Sequence, residues 1–363
     1  MPPELGPELE EIVARLDDEP LTHLMLGHRE LFHSNLLAWF FNKLPEASDL
    51  VFGALTGFSS NTNTARAVRR EQKNLDLWFQ WPNRSPLVIE NKVFSLPDEA
   101  QLNDYAVKAT ANGNTAFLWL LSLSDPNWPD GRIVIGRHEW RWLSYHALAE
   151  SIRAALPKQD GSYAVETMRH YADVVDLLTK LVARAVVSDP SETVALPEHV
   201  RIVLAGNRLM SPMAKLRARS VAQYLSKSLC AAGVKEMKVG SGFTNGTSLN
   251  EWFSSVSCAP DAKAGWQLQG DQFRLALITP SLAGNAEKNI SDRTEFGKKH
   301  ENVFDFSNLD AHLGTAYLPV QPIKRTFGHY NPDFIYRYKK VPHLTLRQLE
   351  AAALEVARTI SPS

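Results

Sequence analysis

The sequence predicts a two-domain protein, with an α/β domain first and an α+β domain second. Short apolar runs alternate with helical patterns over residues 73–186, which is typical of a mixed α/β domain. Residues 187–200 combine two prolines with small polar residues, as linkers commonly do. The length of 363 residues also exceeds the usual size of one domain, about 100 to 200 residues. We therefore expect domains at residues 1–190 and 200–363.

Composition excludes several classes of protein. The chain has 39 Lys and Arg against 40 Asp and Glu, and its 44% hydrophobic residues exclude disorder as the main state. It has no apolar stretch of about 18 residues that could span a membrane, and its acidic start is unlike a signal peptide. Cys230 and Cys258 form no CxxC pair, so a cysteine-based zinc site is not expected. The sequence also has no GxSxG elbow and no GxxxxGK[ST] loop. We expect a cytoplasmic protein.

The first elements are helices followed by a hairpin. Residues 8–58 have a helical pattern, in which the apolar residues of 30–41 recur on one face. Residues 73–80 and 86–94 are short runs rich in β-formers, and the turn-like residues 81–85 separate them. If these strands pair symmetrically about Asn83, positions that sum to 166 lie opposite each other.

Helices and strands then alternate to the end of the first domain. A capping-box pattern at Ser95–Asp98 predicts a helix that runs to Asn112-Gly113. Strands are predicted at 115–124, 132–136 and 139–143, and Ser144 is the predicted N-cap of the next helix. A long helix over roughly residues 163–186 is predicted to end this domain. In the second domain we expect helices at 201–232 and 345–359, with strands and long polar loops between them.

The predicted hairpin brings charged side chains together. Its register sets Asp76 against Glu90 and Asn74 against Lys92, on the face opposite to the apolar side chains Leu75, Leu77, Phe79, Leu87 and Ile89. Two adjacent carboxylates repel each other unless a proton or a divalent cation neutralises them. Mg²⁺ suits such a pair, and a lysine beside it could orient or deprotonate the attacking water in phosphodiester hydrolysis. The alternative is a solvated polar face on an edge hairpin, because the acidic-x-Lys triplet is common by chance.

These residues carry a family resemblance. Asp76, the triplet Glu90-Asn91-Lys92 at the end of an apolar strand, and Gln101-Leu-Asn-Asp-Tyr105 at the start of the next helix resemble the PD-(D/E)XK nuclease superfamily, in particular its RecB-like branch with a QxxxY motif. The segment that follows Glu30 is similar to the first helix of a bacterial group of such proteins. The resemblance covers residues 20–180, and it departs from the family name at Leu75, where the proline is absent.

The resemblance implies a fold, a cofactor and roles for individual residues. The fold would be a restriction-endonuclease-like core, a central mixed sheet flanked by helices. Asp76, Glu90 and the main-chain carbonyl of Asn91 would bind Mg²⁺ or Mn²⁺, and Lys92 would activate water or stabilise the phosphorane charge. Further residues with implied roles in the site are Gln101, Tyr105 and, as an auxiliary acid, Glu30.

Other acidic and histidine residues near this site are less well supported as site residues. Glu71 is close to Asp76 in sequence, but its parity places it on the opposite strand face unless a bulge intervenes. His33 could bond Glu30 or touch substrate, although a structural histidine is the stronger interpretation. His23, His28 and His33 recur every five residues, which is not a helical metal-binding spacing.

Basic residues cluster in the second half. Residues 201–239 contain eight basic residues against Glu236, and Lys215, Arg219 and Lys227 are expected to project outward. A second stretch places Lys324, Arg325, Arg337, Lys339 and Lys340 near Phe334, Tyr336 and Tyr338. Basic groups beside aromatic rings suit phosphate contact and base stacking, so this domain is predicted to bind nucleic acid or a protein partner. The alternative is a set of solvated charges.

The resemblance implies a metal-dependent nuclease that acts on DNA in preference to RNA, in defence against phage or in DNA repair. Two alternatives stay open. One is a catalytically silent subunit that binds nucleic acid or protein, and the other is a nuclease that uses the same site on RNA. A protein partner or a homodimer is a further expectation.

Overall fold

The computed structural model describes residues 5–25, 29–57, 66–72, 75–95, 98–111, 115–187, 189–234, 238–244, 246–257, 261–313, 318–320, 326–330 and 332–360. The chain divides into two compact units, Leu5–Arg184 and Ala185–Ser363. We refer to them as the N-terminal unit and the C-terminal unit.

The N-terminal unit begins with helices, as predicted. They are α1 (Leu5–Asp18), α2 (Pro20–Met25), α3 (Arg29–Lys43) and α4 (Pro45–Ser48), and a π-helical turn at Asp49–Gly53 follows. Three further helices are α5 (Glu99–Ala109), α6 (Tyr145–Ala155) and α7 (Tyr163–Ala185). The side chain of Ser144 caps α6, which confirms that prediction. The N-cap of α5 is Asp98 and not Ser95, because the Asp98 carboxylate accepts the Gln101 amide at 2.7 Å.

A six-stranded mixed sheet forms the centre of this unit. Its strands are β1 (Ala67–Gln72), β2 (Leu75–Gln80), β3 (Leu87–Lys92), β4 (Phe117–Ser122), β5 (Arg132–Ile135) and β6 (His138–Ser144). They lie in the order β1-β2-β3-β4-β6-β5, with β3, β4 and β6 parallel and the other pairs antiparallel. The edge strand β1 was not predicted.

Each face of this sheet has its own apolar packing. On one face α5 packs through Leu102 and Ala106 against Val88 and Trp140. Leu75 belongs to this cluster too, so its predicted place on the opposite face is wrong. On the other face, aromatic rings of the first helices pack against Phe79 of β2. Helices therefore flank a mixed sheet on both sides, as the predicted fold class requires.

The C-terminal unit is α+β. Its helices are α8 (Glu198–Gly206), α9 (Met210–Ala231), α10 (Glu287–Lys299), α11 (Asp310–Leu313) and α12 (Leu346–Ile360). Its strands are β7 (Gly240–Thr244), β8 (Thr247–Ser255), β9 (Lys263–Gln269), β10 (Gln272–Ile278), β11 (Leu318–Val320), β12 (Gly328–Tyr330) and β13 (Phe334–Lys340). The sheet is antiparallel in the order β11-β13-β10-β9-β8-β7, and β12 also pairs with β13. Helix α10 lies where loops were predicted.

The core of this unit lies between α9, α12 and one sheet face. Trp252 and Trp266 of the sheet pack in one cluster with Leu225 of α9 and Leu349 of α12. These tryptophans alternate along their strands with polar residues such as Glu251 and Gln267, which therefore lie on the other face.

Most of the predicted linker is packed into the C-terminal unit. Val187 and Val194 belong to its core cluster, and the Val194 amide donates to the Leu344 carbonyl at 2.8 Å. Arg217 of α9 is 1% exposed and donates to the carbonyls of Ala185, Thr193 and Val194. The segment is thus part of a folded core and not an exposed tether.

Several of the basic residues predicted to meet nucleic acid have internal partners. Arg217 is buried as described, Arg337 pairs with Glu301 at 2.8 Å, and Lys339 pairs with Asp310 at 2.7 Å. Lys215 and Lys227 are exposed, as predicted, whereas Arg219 is half-buried. Lys324 and Arg325 lie outside the described residues. In the described parts of the chain, we find no helix long and apolar enough to cross a membrane.

Candidate active site in the N-terminal unit

The hairpin has the predicted register. Leu77 pairs with Ile89, Trp78 with Val88 and Phe79 with Leu87, so paired positions sum to 166. The described backbone pairing ends at Leu77. At the next position the Asp76 side chain bonds to β3, because its Oδ2 accepts a hydrogen bond from the Asn91 backbone amide at 2.7 Å. Asn74, predicted to lie opposite Lys92, is outside the described residues.

Strand β3 carries the centre of the site. It is an interior strand with an apolar start, Leu87-Val-Ile89, which buries it between its neighbours. Glu90 and Lys92 are two positions apart, so their side chains share one face. The Glu90 side chain is 1% exposed, and its Oε1 lies 2.9 Å from Lys92 Nζ. A buried acid and a half-buried lysine are therefore in direct contact.

The charges of this cluster are strongly coupled. Burial, together with the negative charge of Asp76, raises the pKa of Glu90 to about 8, although Lys92 opposes the shift. Burial also raises the pKa of Asp76, and the charges of Glu30 and Glu71 add to the effect. The surrounding carboxylates raise the pKa of Lys92 against the opposing effect of its burial, so the lysine stays charged. The site holds more carboxylates than one lysine can neutralise.

Glu30 reaches the same cluster from the first turn of α3. Its Oε2 lies 3.8 Å from Lys92 Nζ, and its Oε1 accepts from Ser95 Oγ at 3.1 Å. The side chain is 41% exposed, so Glu30 lies at the solvent side of the site.

Asn91 connects the elements behind the acids, a role that the sequence did not indicate. Its side-chain amide donates to the Glu30 carbonyl at 3.0 Å and to Ser34 Oγ at 3.1 Å. The Tyr145 hydroxyl donates to Asn91 Oδ1, and both residues are fully buried. One side chain of β3 therefore fixes both α3 and α6 next to the acidic cluster.

His33 belongs to the interior and not to the cluster. It is fully buried, its Nδ1 lies 2.9 Å from the Tyr171 hydroxyl, and burial lowers its pKa to about 3. A neutral histidine bonded to a tyrosine fits the structural interpretation better than a bond to Glu30.

Gln101 and Tyr105 form a pair on α5. Gln101 Nε2 donates to the Tyr105 hydroxyl at 2.8 Å, as their spacing of one helical turn allows. Both are half-buried, and Tyr105 packs beside the cluster that contains Val88 of β3. None of the described hydrogen bonds joins either residue to Lys92.

Glu71 lies closer to the site than predicted from its odd spacing to Asp76, which placed it on the opposite strand face. The residue lies in the separate strand β1, where Arg70 pairs with Leu77 and Gln72 with Leu75. This register brings Glu71 next to Asp76, although its backbone has a left-handed φ of 52°. Glu71 is exposed and its charge raises the pKa of Asp76. Residue 71 belongs to a separate strand and not to an extension of β2, so the alternation of side chains along β2 does not decide where Glu71 lies.

Comparison with known families agrees with this geometry. Residues 21–173 match the family model described as the PD-(D/E)XK nuclease superfamily. The N-terminal unit is thus similar to the PD-(D/E)XK nuclease superfamily over most of its length. No curated protein and no solved structure matches the chain significantly. The match supports the predicted resemblance to the superfamily, and the RecB-like branch with its QxxxY motif stays a prediction.

PD-(D/E)XK nucleases generally use divalent metals, and the acids of this unit fit such an ion. Glu90 Oε2 is buried and has no hydrogen-bond partner among the described residues, so one carboxylate oxygen is available as a ligand. Within the described ranges, no group of three or more acidic, histidine or cysteine side chains is placed to hold a metal. A Mg²⁺ site does not require three such side chains, because the ion is commonly held by one or two carboxylates with water and phosphate oxygens.

Proposed function

We propose that the N-terminal unit is a metal-dependent nuclease that hydrolyses phosphodiester bonds, with DNA favoured over RNA. One observation carries the proposal. Glu90 is buried beside Asp76 and Lys92, and its second oxygen has no described partner. Burying an ionised carboxylate without compensation is costly. A divalent cation would offset the repulsion between the two acids and use the unpartnered oxygen.

The proposed metal ligands are Asp76, Glu90 and the main-chain carbonyl of Asn91. When bound, Mg²⁺ or Mn²⁺ would polarise the phosphate and neutralise negative charge during its hydrolysis. The hydrogen bond from the Asn91 amide to Asp76 holds that carboxylate at β3, beside Glu90. The buried contacts of Asn91 with Ser34 and Tyr145 keep this stretch of β3 in place.

Lys92 is proposed as the residue that faces the reacting phosphate and water. Its ammonium group is held 2.9 Å from Glu90 and 3.8 Å from Glu30. The raised pKa of Lys92 favours an electrostatic role, in which the charged lysine orients water and stabilises the phosphorane, over a role as a base. Glu30 would orient Lys92 from the solvent side. Gln101 and Tyr105, bonded to each other on α5, are proposed to contact the substrate.

The proposal also includes a biological role and a role for the C-terminal unit. Nucleases with this set of motifs suggest defence against phage or DNA repair, in the cytoplasm. The C-terminal unit is proposed as an accessory domain at 200–363 that engages nucleic acid or a protein partner. A silent binding subunit is the less favoured candidate, because Asp76, Glu90 and Lys92 are all present and in contact or electrostatically coupled.

The test is cleavage of DNA and RNA by the purified full-length protein with Mg²⁺ or Mn²⁺. We expect DNA to be nicked or degraded, and we expect Lys92→Ala and Asp76→Ala each to lower the rate at least about 10²–10⁴-fold. Lys43→Ala, in the last turn of α3, is the matched control and should cut normally. Cleavage that survives both site substitutions, or that persists in EDTA, would contradict the mechanism. Faster cleavage of RNA would favour the RNA-directed alternative.

A further inference from the structure

The C-terminal unit contains a cavity at one end of its sheet, with both polar and apolar residues in its lining. The start of β8, the turn between β9 and β10, and the residues around 342 and 343 form one side. Residues 193–201 and the first turns of α9 form the other. The volume is about 610 Å³, which is within the range of small-molecule sites, about 300–1,000 Å³.

Arg274 of β10 lines this cavity and is 7% exposed. Its Nη1 donates to Gln267 at 2.7 Å, while its Nε and Nη2 donate to Gln272 at 3.2 and 2.8 Å. A guanidinium has five N–H groups, so one remains on each terminal nitrogen. The Tyr336 ring supports the group, with Cζ of Arg274 4.5 Å from the ring centroid.

No carboxylate among the described residues pairs with Arg274. Glu251 is separated from it by the amide of Gln267, which donates to Glu251 at 2.9 Å. Buried charges in proteins are normally paired, because removing an ion from water is costly. The arrangement around Arg274 is therefore incomplete without an anion.

Two other buried arginines of the same unit show the contrast. Arg217 donates to three main-chain carbonyls and lies 3.9 Å from Glu192. Arg293 donates to the carbonyls of Leu282, Gly284 and Pro332, away from the cavity. Both arginines tie segments of backbone together. Arg217 also borders the cavity, but it is bonded to main-chain carbonyls and lies near a carboxylate. Arg274 is bonded only to side-chain amides of its own sheet, which suits a ligand-binding role.

The rest of the lining fits a phosphate with a larger group attached. Hydroxyls of Thr247 and Ser248 and the imidazole of His343 lie around the cavity, and Arg201 is paired with Glu198 at 3.1 Å. Three arginines line the cavity against two carboxylates, Glu198 and Asp271. A guanidinium with an N–H on each terminal nitrogen can bind two oxygens of one phosphate.

We propose that this cavity binds the phosphate group of a nucleotide, either a free nucleotide or the terminal nucleotide of a strand, with Arg274 as the anion-binding residue. The proposal does not depend on nuclease activity, because the cavity and its ligand lie within the C-terminal unit.

The test is isothermal titration calorimetry on the full-length protein in EDTA, which suppresses metal-dependent cleavage. The probes are AMP, inorganic phosphate, and a short oligothymidylate with and without a 5′-phosphate. We expect AMP or the phosphorylated strand to bind, and Arg274→Gln to weaken that binding at least tenfold. Arg274→Lys keeps the positive charge but loses the paired N–H groups of the guanidinium. Its affinity should lie between those of wild type and Arg274→Gln. Lys263→Gln removes a positive charge from the same sheet outside the cavity and should bind like wild type.

The outcomes separate the two sources of phosphate. Binding of AMP identifies a free nucleotide as ligand, and binding of the strand that requires its 5′-phosphate identifies a strand end. Circular dichroism and the thermal midpoint establish that Arg274→Gln is folded, and Arg274→Lys serves as the test if it is not. Failure of all probes to bind wild type, or equal binding by wild type and the Arg274 variants, overturns the proposal. Loss of DNA cleavage with intact nucleotide binding would contradict only the nuclease.

Discussion

The two units both bury charged groups, but they neutralise them differently. In the N-terminal unit the buried Glu90 meets a lysine at 2.9 Å and a second acid in the same cluster. In the C-terminal unit Arg217 is surrounded by main-chain carbonyls, whereas Arg274 is held by neutral glutamine amides. Arg217 joins segments of backbone and lies 3.9 Å from the carboxylate of Glu192, which is a structural role. At the acids and at Arg274 the described partners leave an excess of one charge, and for this reason we propose a cation at the acids and an anion at Arg274.

The largest effect on stability is expected from Arg217→Met. The substitution leaves three buried carbonyls without their donor, so we expect the free energy of unfolding to fall by about 3 kcal/mol or more. Urea denaturation measures it. Arg201→Met, the same substitution at an exposed position of α8, should cost less than about 1 kcal/mol. Similar losses in the two variants would show that Arg217 does not hold the segment before α8.

Glu90→Gln should have a smaller, pH-dependent effect in the absence of divalent metal. The folded pKa of Glu90, about 8, lies above the ordinary value of 4.5, so the folded state holds the proton more tightly. The resulting stability is complete below pH 4.5 and is lost as the pH rises through about 8.

The variant should therefore be more stable than wild type at pH 8, by an amount on the order of 2 kcal/mol, and similar to it at pH 5. Thermal unfolding at both pH values measures this. The control is Glu139→Gln, at an exposed acid of β6 that pairs with Arg141. If the difference in stability between Glu90→Gln and wild type does not change with pH, the raised pKa assigned to Glu90 is contradicted.

Tyr145→Phe should have the smallest effect of the three. It removes the hydroxyl that donates to Asn91 and keeps the ring, so we expect a loss of about 1–2 kcal/mol in stability. If Asn91 positions the metal ligands, kcat should also fall while KM changes little. Tyr163→Phe, at an 84% exposed tyrosine, is the control. Unchanged kcat and stability in Tyr145→Phe would show that the Asn91 network does not support the site.

Much of the N-terminal fold follows from local pattern. The hairpin register about Asn83 was predictable because alternating apolar residues and a short turn permit one pairing that buries a single face. The interior strands β3 and β4 were predictable for the same reason, since both are apolar runs. Strand β1 was missed because its sequence, AVRREQ, is mostly polar, as an edge strand permits. Helix α10 was missed because few of its residues are apolar.

The candidate site was predictable where the chemistry lies in one short stretch. Glu90 and Lys92 share β3, and the hairpin brings Asp76 to them. The contacts of Asn91 with Ser34 and Tyr145 span 57 and 54 residues of sequence, so no local pattern indicates them. The burial of Arg217 likewise depends on carbonyls that lie 23 to 32 residues away in the sequence. The amides that bind Arg274 are only 2 and 7 residues away, but its position at a cavity also depends on more distant segments. A charged residue on a helix or strand looks the same in sequence whether it faces solvent or a cavity.

The packing of residues 187–196 decides where this chain can be divided. A fragment that starts at residue 200 would lack Val187 and Val194 of the core and the three carbonyls that Arg217 needs. A cut between Arg184 and Ala185 keeps these groups with the sheet that they stabilise. The boundary between the two units thus lies at the end of α7. It precedes the prolines from which the sequence predicts a linker.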